Sequence, residues 1–191
     1  MNKIIGILGM QGAIAEHQEI LLQIPDTKTR IVKTAKDLDC IDGLILPGGE
    51  STAIGKLLDY FSLKEILQQK IISGLPVFGT CAGLILLAKN IENQTNTHLA
   101  TMDITVKRNG YGSQLDSFST NLLIPTIDKN MPIPLVFIRA PYITKTDKDV
   151  QILATLDNKI IAARQKNMLV SSFHPELTCD LRFHQYFLSM I

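Results

Sequence analysis

The sequence has little net charge and no long apolar run, and both shortages narrow the range of functions. Its 19 lysine and arginine residues face 18 aspartate and glutamate residues, for a formal charge of +1. No strong overall field therefore draws in nucleic acid or an anionic membrane. Apolar stretches such as Gly43–Pro47 and Gly83–Ala88 fall far short of the ~20 residues that cross a bilayer. We expect neither nucleic acid nor a membrane among the partners.

Cysteine is also scarce. The three cysteines, Cys40, Cys81 and Cys179, are an odd number, and the sequence shows no signal peptide. This pattern predicts reduced thiols in a cytoplasmic protein rather than a disulfide framework. With 46% hydrophobic and 19% charged residues in a chain of 191, we expect one compact domain over residues 1–191. No repeat, low-complexity tract or linker divides it, and a domain of this size can bury roughly 70% of its surface.

The first half of the chain repeats a strand–turn–helix pattern. Short apolar runs predict strands, most of them buried on both faces of a parallel sheet, at Lys3–Gly9, Arg30–Val32, Gly43–Pro47 and Pro76–Phe78. Helices are predicted between Ala13 and Leu22, from a Thr34 cap to Leu38, from a capping box of Ser62 and Glu65 toward Gly74, and over Leu84–Lys89.

The second half has shorter strand-like segments and ends in a helix. The strands are predicted at Ile104–Val106, Pro134–Ile138, Gln151–Leu156, Ile160–Ala163 and Met168–Phe173, with a hairpin turn at Asp157-Asn158 and a terminal helix capped by Thr178 or Asp180. The whole pattern predicts an α/β fold: a three-layer, doubly wound, mostly parallel sheet with a small antiparallel insertion.

Cys81 is the first candidate catalytic residue. It is the central residue of Gly79–Gly83, a cysteine version of the G-x-S-x-G elbow that exposes a nucleophile at a tight strand-to-helix turn. The start of the following helix favours the thiolate over the thiol. The alternative is a buried cysteine in a glycine turn, because one G-x-C-x-G can arise by chance.

His174 and Glu176 are the second candidate pair. In an extended segment, residues two apart share a face, and Pro175 disfavours a helix at His174. Glu176 can then orient His174, which can take the proton of Cys81 and later deliver it to a leaving amine. Both Cys81 and His174 follow predicted strands, so they should meet at the carboxyl edge of the sheet. The alternative is a capping or core histidine.

The third candidate segment is the glycine loop Leu46–Thr52. Its backbone amides near Gly49 could stabilise an oxyanion together with the amide of Ala82. The alternative is a plain turn followed by a helix capped by Ser51. Nucleotide binding is not favoured, because the full G-x-x-x-x-G-K-[ST] spacing is absent.

Together these segments resemble the class I glutamine amidotransferases, which use a cysteine triad. Further segments narrow the resemblance to the glutaminase subunits of pyridoxal 5′-phosphate synthases, and it runs nearly end to end. The similar segments are Gly6–His17, Leu46–Thr52, Phe78–Gly83, Arg108–Gly112, Phe137–Pro141, Ala163–Gln165 and Phe173–Thr178.

The resemblance implies a function and a set of site residues. The implied reaction is hydrolysis of L-glutamine through a thioester, without a cofactor, and delivery of ammonia to a synthase subunit that makes pyridoxal 5′-phosphate. The implied triad is Cys81, His174 and Glu176, and the implied glutamine site is Gly49, Glu50, Ser51, Arg108, Ile138 and Arg139. Gln11 and Gly12 are implied to help complete the oxyanion site when the synthase docks. Which arginine holds the glutamine carboxylate stays open.

Two positions depart from the family pattern: Ser113 stands where an arginine is expected, and Ser119 where a glutamate is expected. Neither touches the triad. His17, His98 and His184 lack partners at metal-ligand spacing, so no metal site is predicted. Two alternative functions remain: a glutaminase subunit that serves another synthase, and a non-catalytic interaction domain or cysteine hydrolase of similar fold.

Overall fold

The computed structural model describes residues 2–110 and 117–191. The strands in this part of the chain are β1 (Lys3–Leu8), β2 (Thr27–Val32), β3 (Gly43–Leu46), β4 (Val77–Thr80), β5 (Ala88–Ile91), β6 (Met102–Lys107), β7 (Ser117–Leu122), β8 (Ile133–Ile138), β9 (Tyr142–Thr146), β10 (Gln151–Leu156), β11 (Lys159–Gln165) and β12 (Met168–Ser171). Ten of these described strands form one sheet in the order β2-β1-β3-β4-β12-β11-β9-β6-β5, with β10 beside β11, and β7 and β8 form a separate ribbon.

Helices cover both faces of the parallel half of the sheet. The α-helices are α1 (Ile14–Leu22), α2 (Ser51–Tyr60), α3 (Lys64–Ile72), α4 (Ala82–Leu87) and α5 (Arg182–Leu188), and short 3₁₀ turns lie at Ala35–Cys40 and Pro175–Leu177. Apolar residues of α2, α3 and α4 pack on one face. Those of α1, α5 and the ribbon pack on the other. The predicted three-layer α/β class is confirmed.

The parallel strands β2, β1, β3, β4 and β12 form the half of the sheet that carries the site. Their pairing is parallel throughout, and β3, β4 and β12 are buried along their whole length. Continuous apolar runs are required there because helices cover both faces. Phe78 of β4 contacts Phe183 and Phe187 of α5, with ring centroids 5.5 and 5.7 Å apart. This aromatic contact fixes α5 against the centre of the sheet.

The antiparallel half of the sheet comes from the second half of the chain, where the sequence predicts shorter strand-like segments. The turn between β10 and β11 lies at Asp157 and Asn158, both with positive φ (49° and 61°), so the predicted hairpin is confirmed. The insertion is the antiparallel ribbon of β7 and β8. Three described strands have no counterpart in the sequence prediction, namely β5, β7 and β9.

No helix in the described part of the chain is long and apolar enough to cross a membrane.

Two predicted helix boundaries are wrong. The capping box at Ser62 does not form: α3 begins at Lys64 after Leu63, with no side-chain cap. The helix after the elbow ends at Leu87, and Ala88 and Lys89 belong to β5. An apolar run of this length fits a buried strand as well as a helix, so periodicity alone could not place the boundary.

At the C-terminus, Asp180 lies beside the start of α5. Its Oδ1 accepts the N–H of Arg182 at 2.9 Å, while Thr178 Oγ1 accepts the N–H of Asp180 at 3.2 Å. Leu181 occupies the cap position itself. In the first half, Thr34 precedes its predicted helix as expected, and the Asp37 carboxylate accepts the Thr34 N–H at 2.8 Å.

Candidate active site

Cys81 occupies a sharp turn between β4 and α4. Its backbone has φ 48° and ψ −98°, and it is the residue before the first turn of α4. Such a positive φ is uncommon for a residue with a side chain and is found at functional turns. Gly83 permits the turn, because a Cβ there would lie 2.1 Å from the carbonyl oxygen of Leu46. The elbow therefore presents Cys81 at the end of a central strand.

Pairing between β4 and β12 brings the other catalytic candidates to the same edge. Ser171 is the register partner of Thr80, and its carbonyl accepts the N–H of Cys81 at 2.8 Å. The chain then continues to His174, whose N–H donates to the Val136 carbonyl at 2.8 Å. Parallel strands end at a common edge, so residues far apart in sequence become neighbours there.

His174 and Glu176 form a buried pair. The ring Nδ1 of His174 lies 2.7 Å from Glu176 Oε1, and both residues are under 9% exposed. Burial alone lowers the pKa of His174, but its contacts with the Cys81 side chain and with the Glu176 carboxylate outweigh burial and raise this pKa to about 10. Burial raises the pKa of Glu176, whereas the hydrogen bond with His174 and the charge of its ring lower it, with a net lowering. The carboxylate therefore stays charged beside an imidazolium.

An open cleft of about 680 Å³ lies above Cys81. It is lined by every predicted site residue except Glu176, which lies behind His174: Gln11, Gly12, Gly49, Glu50, Ser51, Cys81, Ala82, Arg108, Ile138, Arg139 and His174. Ile138 contributes its carbonyl oxygen, 4.0 Å from Cys81 Sγ. Ala82 is the first residue of α4, where an N–H has no acceptor within the helix.

The glycine loop leads into α2, and the residue that caps this helix is Glu50, not Ser51. The Glu50 carboxylate accepts the N–H groups of Thr52 and Ala53 at 3.0 and 2.6 Å. Ser51 is the first helical residue and is 2% exposed. Its Oγ is one of the buried polar atoms without a hydrogen-bond partner among the described residues. The Ser51 cap is therefore wrong, and the Ser51 hydroxyl lies buried beside the cleft.

Gln11 and Gly12 hold the glycine loop from the other side. The Gln11 Oε1 accepts the N–H of Glu50 at 2.8 Å, and the N–H of Ala13 donates to the Gly48 carbonyl at 3.0 Å. Gly12 has φ 113°, and a Cβ on it would lie 1.7 Å from the Gly48 oxygen. The loop before α1 thus determines where the backbone of Gly49 can lie.

The two cleft arginines differ in their partners. Arg108 Nη2 lies 3.0 Å from Glu50 Oε1, and Nη1 lies 3.2 Å from Thr52 Oγ1. Arg139 is exposed, with φ 46°. The departure at Ser113 lies outside the described residues. Ser119 is exposed on β7 opposite Val136, and it is not part of the cleft lining.

Sequence reasoning missed three residues behind the triad: His17, Thr80 and His184. All three are fully buried. Nδ1 of His17 lies 3.0 Å from His184 Nε2, and His17 Nε2 lies 3.2 Å from Thr80 Oγ1. The available signal was the position of His17 on the apolar face of α1, which predicted burial. Among residues 2–110 and 117–191, no three histidine, cysteine or acidic side chains are arranged to hold a metal ion.

A cysteine elbow joined to a histidine–carboxylate pair on this sheet is the arrangement of class I glutamine amidotransferases. The sequence matches the SNO glutamine amidotransferase family over residues 7–191, and the chain belongs to that family. A crystal structure of a glutamine amidotransferase superposes with a TM-score of 0.89, at 38% identity and with 97% of each chain covered.

Curated relatives cover nearly the whole chain. Pyridoxal 5′-phosphate synthase subunit PdxT of Ruminiclostridium cellulolyticum is 53% identical over 189 residues, 99% of this chain and 100% of the relative. The protein of the same name from Carboxydothermus hydrogenoformans is 54% identical over 187 residues, 98% of this chain and 97% of the relative. PurLQS of Thermotoga maritima, at 15% identity and a TM-score of 0.71, shares the fold.

Proposed function

We propose that the chain is a single glutaminase domain that releases ammonia from L-glutamine for a pyridoxal 5′-phosphate synthase subunit. The observation that carries this proposal is that Cys81 and His174 line the same cleft, with Nδ1 of His174 held by Glu176 Oε1 at 2.7 Å. The names of the curated relatives support the choice of synthase partner. Three free cysteines support a cytoplasmic location.

The reaction begins when Cys81, whose proton has passed to His174, attacks the side-chain amide carbon of glutamine through its sulfur. The bond from sulfur to carbon forms, and the amide oxygen becomes an oxyanion that the amides of Gly49 and Ala82 stabilise. His174 donates its proton to the amide nitrogen, and the carbon–nitrogen bond breaks to release ammonia and leave a thioester. The residues involved all line one cleft.

Water completes the cycle. His174, now neutral, takes a proton from the water that attacks the thioester carbon, and the carbon–sulfur bond breaks to give glutamate and free Cys81. Glu176 keeps the ring oriented and stabilises its charged form, without taking the proton itself. Every step uses side chains and backbone of this chain, so the mechanism requires no cofactor.

Substrate recognition is proposed for the rim of the cleft. Arg108 and Arg139 supply positive charge for the glutamine carboxylate, while Glu50, Ser51 and the Ile138 carbonyl supply acceptors or a hydroxyl. The hydrogen bond from the Glu50 N–H to Gln11 links this rim to the loop before α1. We propose that docking of the synthase adjusts Gln11 and Gly12 and thereby completes the oxyanion site.

The test is glutamate release from glutamine by the chain mixed with a pyridoxal 5′-phosphate synthase subunit. We expect turnover in the wild type and loss of at least about 10⁴-fold in Cys81→Ala, because the nucleophile is removed. Cys179→Ala is the matched control, since Cys179 is exposed and outside the cleft. Wild-type turnover by Cys81→Ala would show that Cys81 is not the nucleophile.

The two alternatives give different results in the same experiment. A glutaminase for another synthase would release glutamate but would not support glutamine-dependent formation of pyridoxal 5′-phosphate. A non-catalytic interaction domain, or an unrelated cysteine hydrolase, would also fail to react at Cys81 with a diazo-ketone analogue of glutamine. Alkylation at Cys81, blocked by glutamine, together with coenzyme formation would exclude both.

A further inference from the structure

Behind the triad, one oxygen of Glu176 has no established role. Glu176 Oε1 is used by His174, but Oε2 is a buried atom with no conventional hydrogen bond from any described residue. It lies 3.5 Å from Nε2 of His17, and neither side chain has any exposed surface. A buried carboxylate oxygen without a donor is costly, so its approach to a histidine nitrogen calls for an explanation.

His17 connects four elements around this oxygen. It lies on α1, contacts Thr80 at the end of β4 and His184 on α5, and faces Glu176 in the 3₁₀ turn after β12. Thr80 directly precedes Cys81 in the chain. His17 therefore touches the segments that carry all three members of the triad, yet it is not part of the cleft lining.

Burial determines the protonation states of His17 and His184. Burial lowers the pKa of His17, and burial together with the neighbouring His17 lowers the pKa of His184 to about 3. Both rings are therefore neutral at neutral pH. Across the 3.0 Å contact between His17 Nδ1 and His184 Nε2, one nitrogen must carry the hydrogen and the other must accept it.

Glu176 decides which nitrogen carries that hydrogen. A carboxylate only accepts hydrogen bonds, so the favoured form of His17 has its hydrogen on Nε2, toward Glu176 Oε2 and Thr80 Oγ1. His17 Nδ1 then accepts from His184 Nε2. This arrangement leaves only a lone pair unpaired, at His184 Nδ1, which is the ring atom without a partner among the described residues. The opposite arrangement would point a lone pair of His17 at the carboxylate.

We propose that His17 is a positioning residue of the triad: its Nε2–H holds the Oε2 oxygen of Glu176, so that Oε1 remains directed at His174. The proposal rests on the proposed glutaminase function. His17 touches neither substrate nor the reacting atoms, and it acts through Glu176 alone. At metal sites, removing such an outer partner of a functional residue typically costs about 10–100-fold in activity, and we expect a loss of the same order here.

Glutamine turnover by three variants tests the proposal, measured with the synthase subunit present. His17→Gln can place an N–H near the position of Nε2, His17→Asn reaches only the position of Nδ1, and His17→Leu has no donor. We expect kcat to fall about 10–100-fold in the leucine and asparagine variants and to recover most of that loss in the glutamine variant. The KM for glutamine should stay within about twofold, because His17 lies outside the cleft.

A matched control separates positioning from stability. Phe187→Leu removes buried volume from the same cluster, next to Phe78, without removing a hydrogen-bond donor. It should lower Tm and leave kcat unchanged. Wild-type kcat in a folded His17→Leu, or equal kcat in the glutamine and asparagine variants, would overturn the proposal. If His17→Leu does not fold, the comparison of kcat between His17→Gln and His17→Asn tests the proposal by itself.

A second measurement does not depend on glutamine turnover. The rate at which iodoacetamide alkylates Cys81 is followed against pH by peptide mass spectrometry, with the exposed Cys40 and Cys179 as internal references. The charged and titratable groups that face His17 are Glu176 and His174, His184 on α5 and Glu16 on its own helix.

In His17→Leu, a less firmly held Glu176 supports the His174 imidazolium less well. We therefore expect slower alkylation of Cys81 at pH 7 and a profile moved to higher pH, with His17→Gln close to wild type. Superimposable profiles for wild type and His17→Leu would refute the positioning role. Absence of glutamate release by the wild type would instead refute the proposed function, and the alkylation profiles would still test His17.

Discussion

At the residue scale, the two arginines of the cleft have different electrostatic surroundings. Arg108 already pairs with Glu50. Burial raises the pKa of Glu50, but the hydrogen bonds from the N–H groups of Thr52 and Ala53, with a smaller contribution from the Arg108 charge, give a net lowering. Arg139 also lines the cleft, and its side chain makes no ion pair or hydrogen bond with residues 2–110 or 117–191. We therefore propose the Arg139 guanidinium as the group that binds the glutamine carboxylate.

Arg139→Gln should therefore raise the KM for glutamine about 10-fold or more, because a hydrogen bond to a charged group contributes roughly 1.5–3 kcal/mol. We expect kcat to change little, since the triad is untouched. Steady-state kinetics with the synthase present provide the measurement. Arg164→Gln is the control, because Arg164 packs on Tyr186 away from the cleft. An unchanged KM in Arg139→Gln would assign the carboxylate to another group.

His174 predicts a pH dependence of stability. Its folded-state pKa of about 10 exceeds the unfolded value of about 6.5, so protonation of the ring stabilises the folded state. This contribution is complete below about pH 6.5 and is lost as the pH rises through about 10. The free energy of unfolding, measured in urea at pH 6, 8 and 10, should fall more steeply in wild type than in His174→Gln. Parallel curves would contradict this prediction.

At the element scale, Ser62 shows why the capping box failed. The residue has φ 54°, the N–H of Leu63 donates to the Leu58 carbonyl at 2.8 Å, and the N–H of Ser62 donates to the Asp59 carbonyl at 3.1 Å. These two bonds are those of a Schellman motif, in which a left-handed residue ends a helix. Ser62 therefore ends α2 and does not begin α3.

Ser62→Gly should accordingly raise stability. A left-handed conformation costs a residue with a side chain roughly 1–2 kcal/mol, and the greater flexibility of glycine in the unfolded chain offsets roughly 0.4–1 kcal/mol of that. We expect Tm to rise by about 2 °C in thermal unfolding. Ser73→Gly, at a helix end with φ −78°, is the control and should give no gain. A lower Tm in Ser62→Gly would support the capping box after all.

At the scale of the whole molecule, one arginine of α5 holds the segment that leads into the ribbon strand β8, and β8 in turn contacts the active site. Arg182 on α5 donates to Asp128 at 2.8 Å and to the carbonyls of Met131 and Pro132 at 3.0 and 2.8 Å. The segment held in this way leads into β8, whose Val136 carbonyl accepts the N–H of His174. Hydrogen bonds from the Asn130 N–H, from Arg182 and from the Met131 N–H lower the pKa of Asp128 to about 2.

Arg182→Gln should loosen this connection. We expect Tm to fall by about 3 °C, the shift that roughly 1 kcal/mol produces in a domain of this size, and amide hydrogen exchange in β8 to become faster. Arg30→Gln, on β2 at the far edge of the sheet, should leave β8 unchanged. Equal exchange in β8 of wild type and Arg182→Gln would show that the ribbon is held by other contacts.

Local patterns in the sequence were sufficient for the parallel half of the fold. Continuous apolar runs predicted β1, β3, β4 and β12, because strands covered by helices on both faces are mostly apolar along their length. The elbow at Cys81 and the pair of His174 and Glu176 were readable for the same reason: a tight turn and a spacing of two residues are local features. The strands β5, β7 and β9 were missed because short, half-exposed strands have weak signals.

Only the tertiary structure determined the contacts between segments that are distant in the sequence. The Glu50 carboxylate that caps α2 also contacts Arg108, 58 residues further along the chain, and the turn at Ser62 that follows α2 is accompanied by burial of Leu63. The group of His17, His184 and Glu176 joins three elements, so no single segment reveals it. Sequence patterns record the periodicity of one element, whereas the protonation and partners of a buried group are set by what the fold packs around it.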